Sequence, residues 1–294
     1  MKYKLIKRRN LGGAYSVNPL PSQQDLHNFY NQYWQTPNRP HTSSYTRAEL
    51  MYLESKFNVL LSLIPIKNYE ALDIGCGEGH LLKKLTQDKI KVTGIDFNDF
   101  GISKFNPSVL SKFKKGDVMQ LIHQYNLEGK KFDVVFLNHV IEHVLDPQKL
   151  LQSIYQIINE NGYLVASVPN DMSQLQISLK EKKFYKKDYF VRFPDHLHYF
   201  TAVSLKSLLD KSKFEFVDGI ADFPIEWFLS NKHSNYAINA QLGKEAHHAR
   251  VYLENLINTG DTNKAAQFWR PLFEIGQGRS ITIIAKPRLI SVSK

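Results

Sequence analysis

From Asp73 to Gly79 the chain reads Asp-Ile-Gly-Cys-Gly-Glu-Gly, closing an apolar run and opening a helical pattern. Glycine at 75 and 77 permits a tight turn and lets a ligand lie against bare backbone. The N–H groups of the helix beyond then face that ligand. A dinucleotide loop, G-x-G-x-x-G, would put its third glycine at position 80. His80 stands there, and the third glycine is Gly79. Asp73 would repel a pyrophosphate but suits a cationic amino-acid group. Three further polar residues follow at intervals of 21: Asp96, Asp117 and Asn138. Each falls at the expected end of a strand. Asp96 suits both hydroxyls of a ribose. Asp117 can accept from an adenine amino group, with Val118 and Met119 packing the ring.

As a set, these motifs resemble the class I S-adenosylmethionine-dependent methyltransferases, over about residues 65–218. The resemblance implies S-adenosyl-L-methionine as cofactor. Gly75, Gly77 and Gly79, with Asp73 and Cys76 of the same loop, would shape the methionine pocket. Asp96 and Phe97 would lie at the ribose, and Asp117, Val118 and Met119 at the adenine. Asn138 and His139 would stand near the reactive methyl. The implied fold is α/β and Rossmann-like, a doubly wound, mostly parallel seven-stranded sheet.

Methyl transfer needs an aligned acceptor, exclusion of water and, for a hydroxyl, a proton acceptor. Two clusters offer one. The first is His139-Val140-Ile141-Glu142-His143. As a bare pattern it also fits an inverted zinc-protease motif, but it leaves a buried strand instead of lying on a helix. The segment resembles the ubiquinone-pathway O-methyltransferases, some of which use a divalent metal there. They carry an acid where this chain has His139, so transfer is expected not to require a metal, and no ligand set is assigned. Glu142 and His143 also suit a pair bracing the loop. The second cluster is Phe193-Pro194-Asp195-His196-Leu197-His198-Tyr199-Phe200-Thr201. In an extended segment His196 and His198 would point the same way. His196 is the first candidate for the base, because imidazole titrates near neutrality; His143 and His198 are the others. Residues 180–192 hold six cations and two acids, interleaved with Phe184, Tyr185, Tyr189 and Phe190. They are expected to form a lid whose aromatics stack on a base or sugar.

These residues require strands to place them. Runs Glu70–Ile74, 91–95, 132–137 and 163–168 read as buried strands, with helices at 81–87, 147–159 and 204–210. Asn161-Gly162 reads as a helix C-cap. Such alternation implies a parallel sheet covered on both faces. The sixth and seventh strands are expected at about 214–217 and 280–285. Residues 1–64 read as an extension, irregular apart from a helix at 25–34 and another near 47–63. Residues 65–218 form the core, with a lid at about 171–200. A helical insertion at 219–279 separates the last two strands, and 280–294 hold the last strand and a tail. The insertion, Asn18-Pro19-Leu20-Pro21-Ser22 and Phe29-Tyr30 resemble bacterial methyltransferases of sugar and polysaccharide biosynthesis. Many of those carry an N-terminal zinc-binding cysteine cluster. This chain has one cysteine, Cys76, so no zinc site is carried over.

The 294 residues are 43% apolar and 22% charged, which excludes disordered and low-complexity classes. No apolar stretch is long enough to span a bilayer. Neither a secretory signal nor a disulfide framework is read, and a cytoplasmic location is expected. The net charge of +10 favours anionic partners. The function expected is methyl transfer, with oxygen favoured, to a small anionic or glycosylated acceptor such as a nucleotide-sugar or glycan. RNA methylation is the alternative, although Pro169-Asn170-Asp171 lacks the proline pair and aromatic residue of amino-group methylases. A cofactor-binding protein without turnover is the third reading.

Overall fold

Apolar runs with no polar face have to be covered on both sides, and here they line up as neighbours in one sheet. The computed structural model describes residues 3–33 and 44–289. Strands β3 (Glu70–Ile74), β4 (Lys91–Asp96), β5 (Phe113–Lys115), β6 (Phe132–Asn138) and β7 (Ile158–Pro169) run parallel. β9 (Phe214–Ala221) and β10 (Ser280–Pro287) complete a seven-stranded sheet of order β5-β4-β3-β6-β7-β10-β9. β10 is antiparallel to both neighbours. The strand order reverses between β3 and β6, so their carboxyl ends border the crevice where such sheets bind ligands.

The helices start where local chemistry supplies caps. In α2 (Arg47–Ser62), Thr46 and Glu49 form a reciprocal capping box. In α6 (Pro147–Ile157), Asp146 caps Lys149 N at 3.0 Å and Pro147 opens the first turn. In α8 (Ala202–Lys211), the cap is Thr201 with Ser204. α3 (His80–Gln87), α4 (Phe100–Phe105) and α5 (Val118–Leu127) follow the first three strands of the core. One apolar cluster joins Leu72, Leu137, Leu150 and Ile154 on one face of the sheet. A second joins Ala71, Leu82, Phe136 and Trp269 on the other.

Two expectations are corrected. The N-terminus is not irregular: β1 (Lys4–Lys7) and β2 (Tyr15–Asn18) form a hairpin before α1 (Gln23–Tyr33). β2 also pairs with β8 (His198–Tyr199), joining the extension to the second histidine segment. Of the expected helix at 25–34, Trp34 lies outside the described residues. Asn161-Gly162 is not a C-cap. α6 ends at Ile157, and residues 159–162 bulge within β7, between Ile158 paired with Phe132 and Tyr163 paired with Val134. Gly162 has no left-handed φ; a Cβ there would come within 2.7 Å of the Asp133 carbonyl oxygen. Close backbone approach, not helix termination, requires the glycine.

The insertion holds α9 (Leu242–Asn258) and α10 (Thr262–Glu274). Trp269 Nε1 donates to Asn258 Oδ1 at 2.7 Å, tying the two together. Phe273 packs against Gly219 of β9, where any Cβ would lie 2.4 Å from its ring. The insertion is thus built onto the sheet. Among the described residues no helix is long and apolar enough to cross a membrane.

Candidate functional site

The turn after β3 is built from three glycines in the left-handed region, Gly75 (φ +67°), Gly77 (+53°) and Gly79 (+75°). They are not equivalent. A Cβ on Gly75 would meet Val140 at 2.5 Å, and one on Gly79 would meet Ile102 at 2.8 Å. At Gly77 the nearest atom would be 3.9 Å away. Gly75 and Gly79 therefore pack against protein, and Gly77 presents bare backbone. Cys76 belongs to the wall, its thiol pushed up by burial and then by Asp73 and Asp96.

Asp96 ends β4. Its Oδ2 accepts from Gly77 N at 2.9 Å and its Oδ1 from Asn98 N at 3.0 Å, tying the glycine turn to the next strand end. A carboxylate has about four acceptor sites, so these amides leave room for a hydroxyl donor. Burial raises its pKa against the opposing pull of these amides. Asp73 is 1% exposed, and its Oδ2 has no hydrogen-bond partner. Burial, then the charge of Asp96, lifts its pKa to about 8. Asp117 caps α5 by accepting from Gln120 N at 2.9 Å. Val118 and Met119 pack against the core beside it. Asn138 closes β6, and His139 follows with φ +55°.

Sequence reasoning missed what lies across this crevice. His27 of α1 meets the Phe97 ring edge-on at 5.3 Å, and Tyr30, one turn on, meets His143 at 6.4 Å. α1 therefore runs from Phe97, beyond β4, to His143, beyond β6. The spacing of Phe29, Tyr30 and Tyr33 is helical but names no docking partner.

At the end of β6 Glu142 lies on a 3₁₀ turn, Ile141–His143. It is 1% exposed. Its Oε1 accepts from His139 Nδ1 at 3.2 Å, and its Oε2 has no hydrogen-bond partner. Burial opposes its ionisation, but His139 and His143 outweigh that and hold the carboxyl below its ordinary value. His143 Nδ1 lies 2.7 Å from the Asp195 carbonyl, which only accepts, so Nδ1 carries the proton. Burial disfavours its charge, yet Asp195 and Glu142 raise its pKa to about 9. His196 packs perpendicular to His143, ring centres 4.9 Å apart. Its Nδ1 has no hydrogen-bond partner and lies 3.9 Å from Asp171 Oδ2. Burial, then the charge of His143, lowers its pKa to about 4. That departs from the near-neutral value expected of a base. Asp171 is held by Arg279, which also faces Glu226 at 3.6 Å. Asp171 was not selected as a site residue from sequence, although it stands just beyond the end of β7.

His198 does not join this group. Its Nε2 donates to the Val144 carbonyl at 2.9 Å and its Nδ1 accepts from Ser16 Oγ at 2.7 Å. One nitrogen braces β8 against β2 and the other against the loop after β6, and burial lowers its pKa to about 4. The lid at 180–192 is likewise built differently from expectation. Tyr185 and Phe190 are buried with Val17, Leu26 and Leu229, while Lys182, Lys183, Lys186 and Lys187 face outward. These two buried aromatics are the core of a cap, not a stacking surface.

The methyltransferase-domain family model matches residues 45–218. Two solved structures resemble the whole chain in fold. One is an S-adenosylmethionine-dependent methyltransferase from Archaeoglobus fulgidus: TM-score 0.53, 18% identity, 88% of this chain and 99% of that one. The other is a methyltransferase from Haloferax volcanii in complex with the Trm112 activator: TM-score 0.52, 12% identity, 92% and 99% coverage. Among curated proteins, a tRNA U34 carboxymethyltransferase of Sulfurimonas denitrificans is 27% identical over 135 residues, 45% of each chain. A ubiquinone biosynthesis O-methyltransferase of Coxiella burnetii is 28% identical over 125 residues, 42% of this chain and 50% of the relative. The chain thus spans about half the length of the curated relatives it matches. A doubly wound sheet whose crevice carries a glycine turn and acidic strand ends defines a class I methyltransferase fold, and the chain belongs to the methyltransferase-domain family. Its fold is that of S-adenosylmethionine-dependent methyltransferases. The residues present fit that cofactor, since Asp73 offers a buried carboxylate oxygen without a partner and Gly77 an open backbone.

Proposed function

We propose that the protein methylates an oxygen of a small anionic or glycosylated acceptor held between β6, the turn at Glu142 and the cap at His196. The cofactor would lie on Gly75, Gly77 and Gly79. Asp73 would hold its ammonium, Asp96 its ribose and Asp117 its adenine, with Asn138 and His139 near the methyl. The observation carrying this reading is that Glu142, His143 and His196 meet at the end of β6, beside the crevice. The chemistry supplied by the bound cofactor is an activated methyl on a sulfonium leaving group. The protein has to align an acceptor and take up its proton, and alignment is the larger contribution, roughly 7–11 kcal/mol. Calorimetry tests the cofactor assignment. Asp96→Ala should weaken S-adenosylmethionine binding by about 1.5–3 kcal/mol, the scale for a charged hydrogen-bonding partner. Equal affinity in both chains would remove the ribose role of Asp96.

RNA is the second reading. It is favoured by the outward lysines of the cap and by similarity to tRNA carboxymethyltransferases. It requires retention on tRNA with affinity falling steeply as salt rises. Retention that is weak and insensitive to salt leaves the small acceptor.

A further inference from the structure

One guanidinium joins the end of β7 to the insertion. Arg279, the residue before β10, donates through Nη1 to Asp171 Oδ1 and stands 3.6 Å from Glu226 Oε1. Glu226 lies on the 3₁₀ turn Ile225–Ser230 that follows β9, so the two ends of the insertion converge on Asp171. Gln176 Nε2 donates to Glu226 Oε1 at 3.1 Å and stands 3.5 Å from Asp171 Oδ1. The Gln176 amide is itself fixed, its Oε1 accepting from Met172 N at 2.7 Å. Burial pushes the Glu226 carboxyl up, toward its protonated form, which leaves the charge of Arg279 chiefly to Asp171. The side-chain contacts that hold Asp171 thus fall on Oδ1. Its Oδ2 faces His196 Nδ1 at 3.9 Å.

His196 Nδ1 is buried without a hydrogen-bond partner. Nε2 makes no hydrogen bond among the described residues either, yet, unlike Nδ1, it is not shut off from the surface. Burial, then the charge of His143, keeps the ring neutral, with Glu142, Asp171 and Asp195 opposing. A neutral ring has one N–H and one lone pair. A lone pair on Nδ1 would oppose those of Asp171 Oδ2, whereas Nδ1–H aims a donor at an open acceptor. A shift of about 1 Å closes the gap to an ordinary hydrogen bond. We propose that Asp171 is a positioning residue for His196, held in place by Arg279. It takes Nδ1–H and leaves the Nε2 lone pair for the proton of an acceptor hydroxyl. A carboxylate at Nδ1–H fixes the tautomer and stabilises the imidazolium that forms when the proton arrives. The insertion thereby serves the chemistry through a single side chain. The proton-accepting role rests on the reading above; the pairing of Asp171 with His196 does not.

The test uses the full chain with ¹⁵N-labelled histidines and reads the ring nitrogens by NMR near neutral pH. The His196 signals are those missing from His196→Ala. The expected result is a neutral ring protonated at Nδ1. In Asp171→Asn, Arg279 and Gln176 should hold the amide oxygen and turn its NH₂ toward His196. The ring should then switch to the Nε2–H form, while S-adenosylmethionine affinity stays within about threefold as proof of folding. Arg279→Met should weaken the Nδ1–H preference in the same direction. With an acceptor in hand, Asp171→Asn should lower kcat about 10-fold or more and leave KM within about threefold. A ring protonated only at Nε2 in the unaltered chain, or unchanged ring signals in a folded Asp171→Asn, overturns the pairing. The tautomer of the unaltered chain is decisive even where a variant fails to fold. A tautomer switch in Asp171→Asn together with normal turnover in His196→Ala would leave the pairing standing and remove His196 as the proton acceptor.

Discussion

Among the described residues Asp73 has no basic neighbour to match its burial, and its carboxyl is held up to about 8. A folded value above the ordinary 3.8 means that ionisation is resisted in the folded state. Stability from this group is complete below about pH 4 and is lost as pH rises toward about 8. A cofactor ammonium beside Asp73 would reverse the preference and expel the proton. S-adenosylmethionine affinity should therefore rise with pH up to about 8, and calorimetric heats near neutrality should depend on the buffer because a proton is released. Asp73→Asn should flatten both dependences; an unchanged pH slope in that variant would take the ammonium away from Asp73. His196 makes the complementary case. His196→Ala should leave cofactor affinity within about threefold and lower turnover by about 10²–10⁴. Near-normal turnover at saturating acceptor would make it a packing residue. Gly75, Asp96, Asp117 and Asn138 were legible because buried strands announce where they end. The partners of His143 were not, because His196 and Asp195 lie more than fifty positions away and approach only when the cap folds down.

At the scale of elements, the central strands and most helices follow from hydrophobic period and caps, as with the Thr201 cap of α8. Short strands do not. β8 is two residues long, and its partner β2 lies more than 180 positions earlier, so neither carries a period to read. The cap was misread for a related reason. Alternating aromatics and lysines report two faces but not which one is buried, and Tyr185 and Phe190 turn inward. The insertion offers a sharp test. Gly219→Ala places a methyl against the Phe273 ring and should cost about 1–3 kcal/mol by overpacking, read by chemical denaturation. Adding Phe273→Leu should recover part of that loss, and full stability of the single variant would show that α10 is not seated on β9.

For the whole molecule, the charge of +10 gathers partly on the cap, where Lys182, Lys183, Lys186 and Lys187 face outward. Exposed charge acts over about 8–10 Å at ordinary ionic strength. An anionic acceptor should thus show kcat/KM falling with added salt while cofactor affinity holds nearly constant; a salt-independent kcat/KM would indicate a neutral acceptor. The order of the sheet carries a further consequence. β9 leaves the ribosome well before β10, its one neighbour in the sheet, because the insertion intervenes. Until β10 arrives, the edge of β7 and both edges of β9 are open to pairing with another chain. During synthesis the helices of the insertion have to fold and deliver β10 into the gap, so variants that loosen α9 from α10, such as those at Trp269, belong among the sites where nascent chains aggregate before any finished protein loses stability.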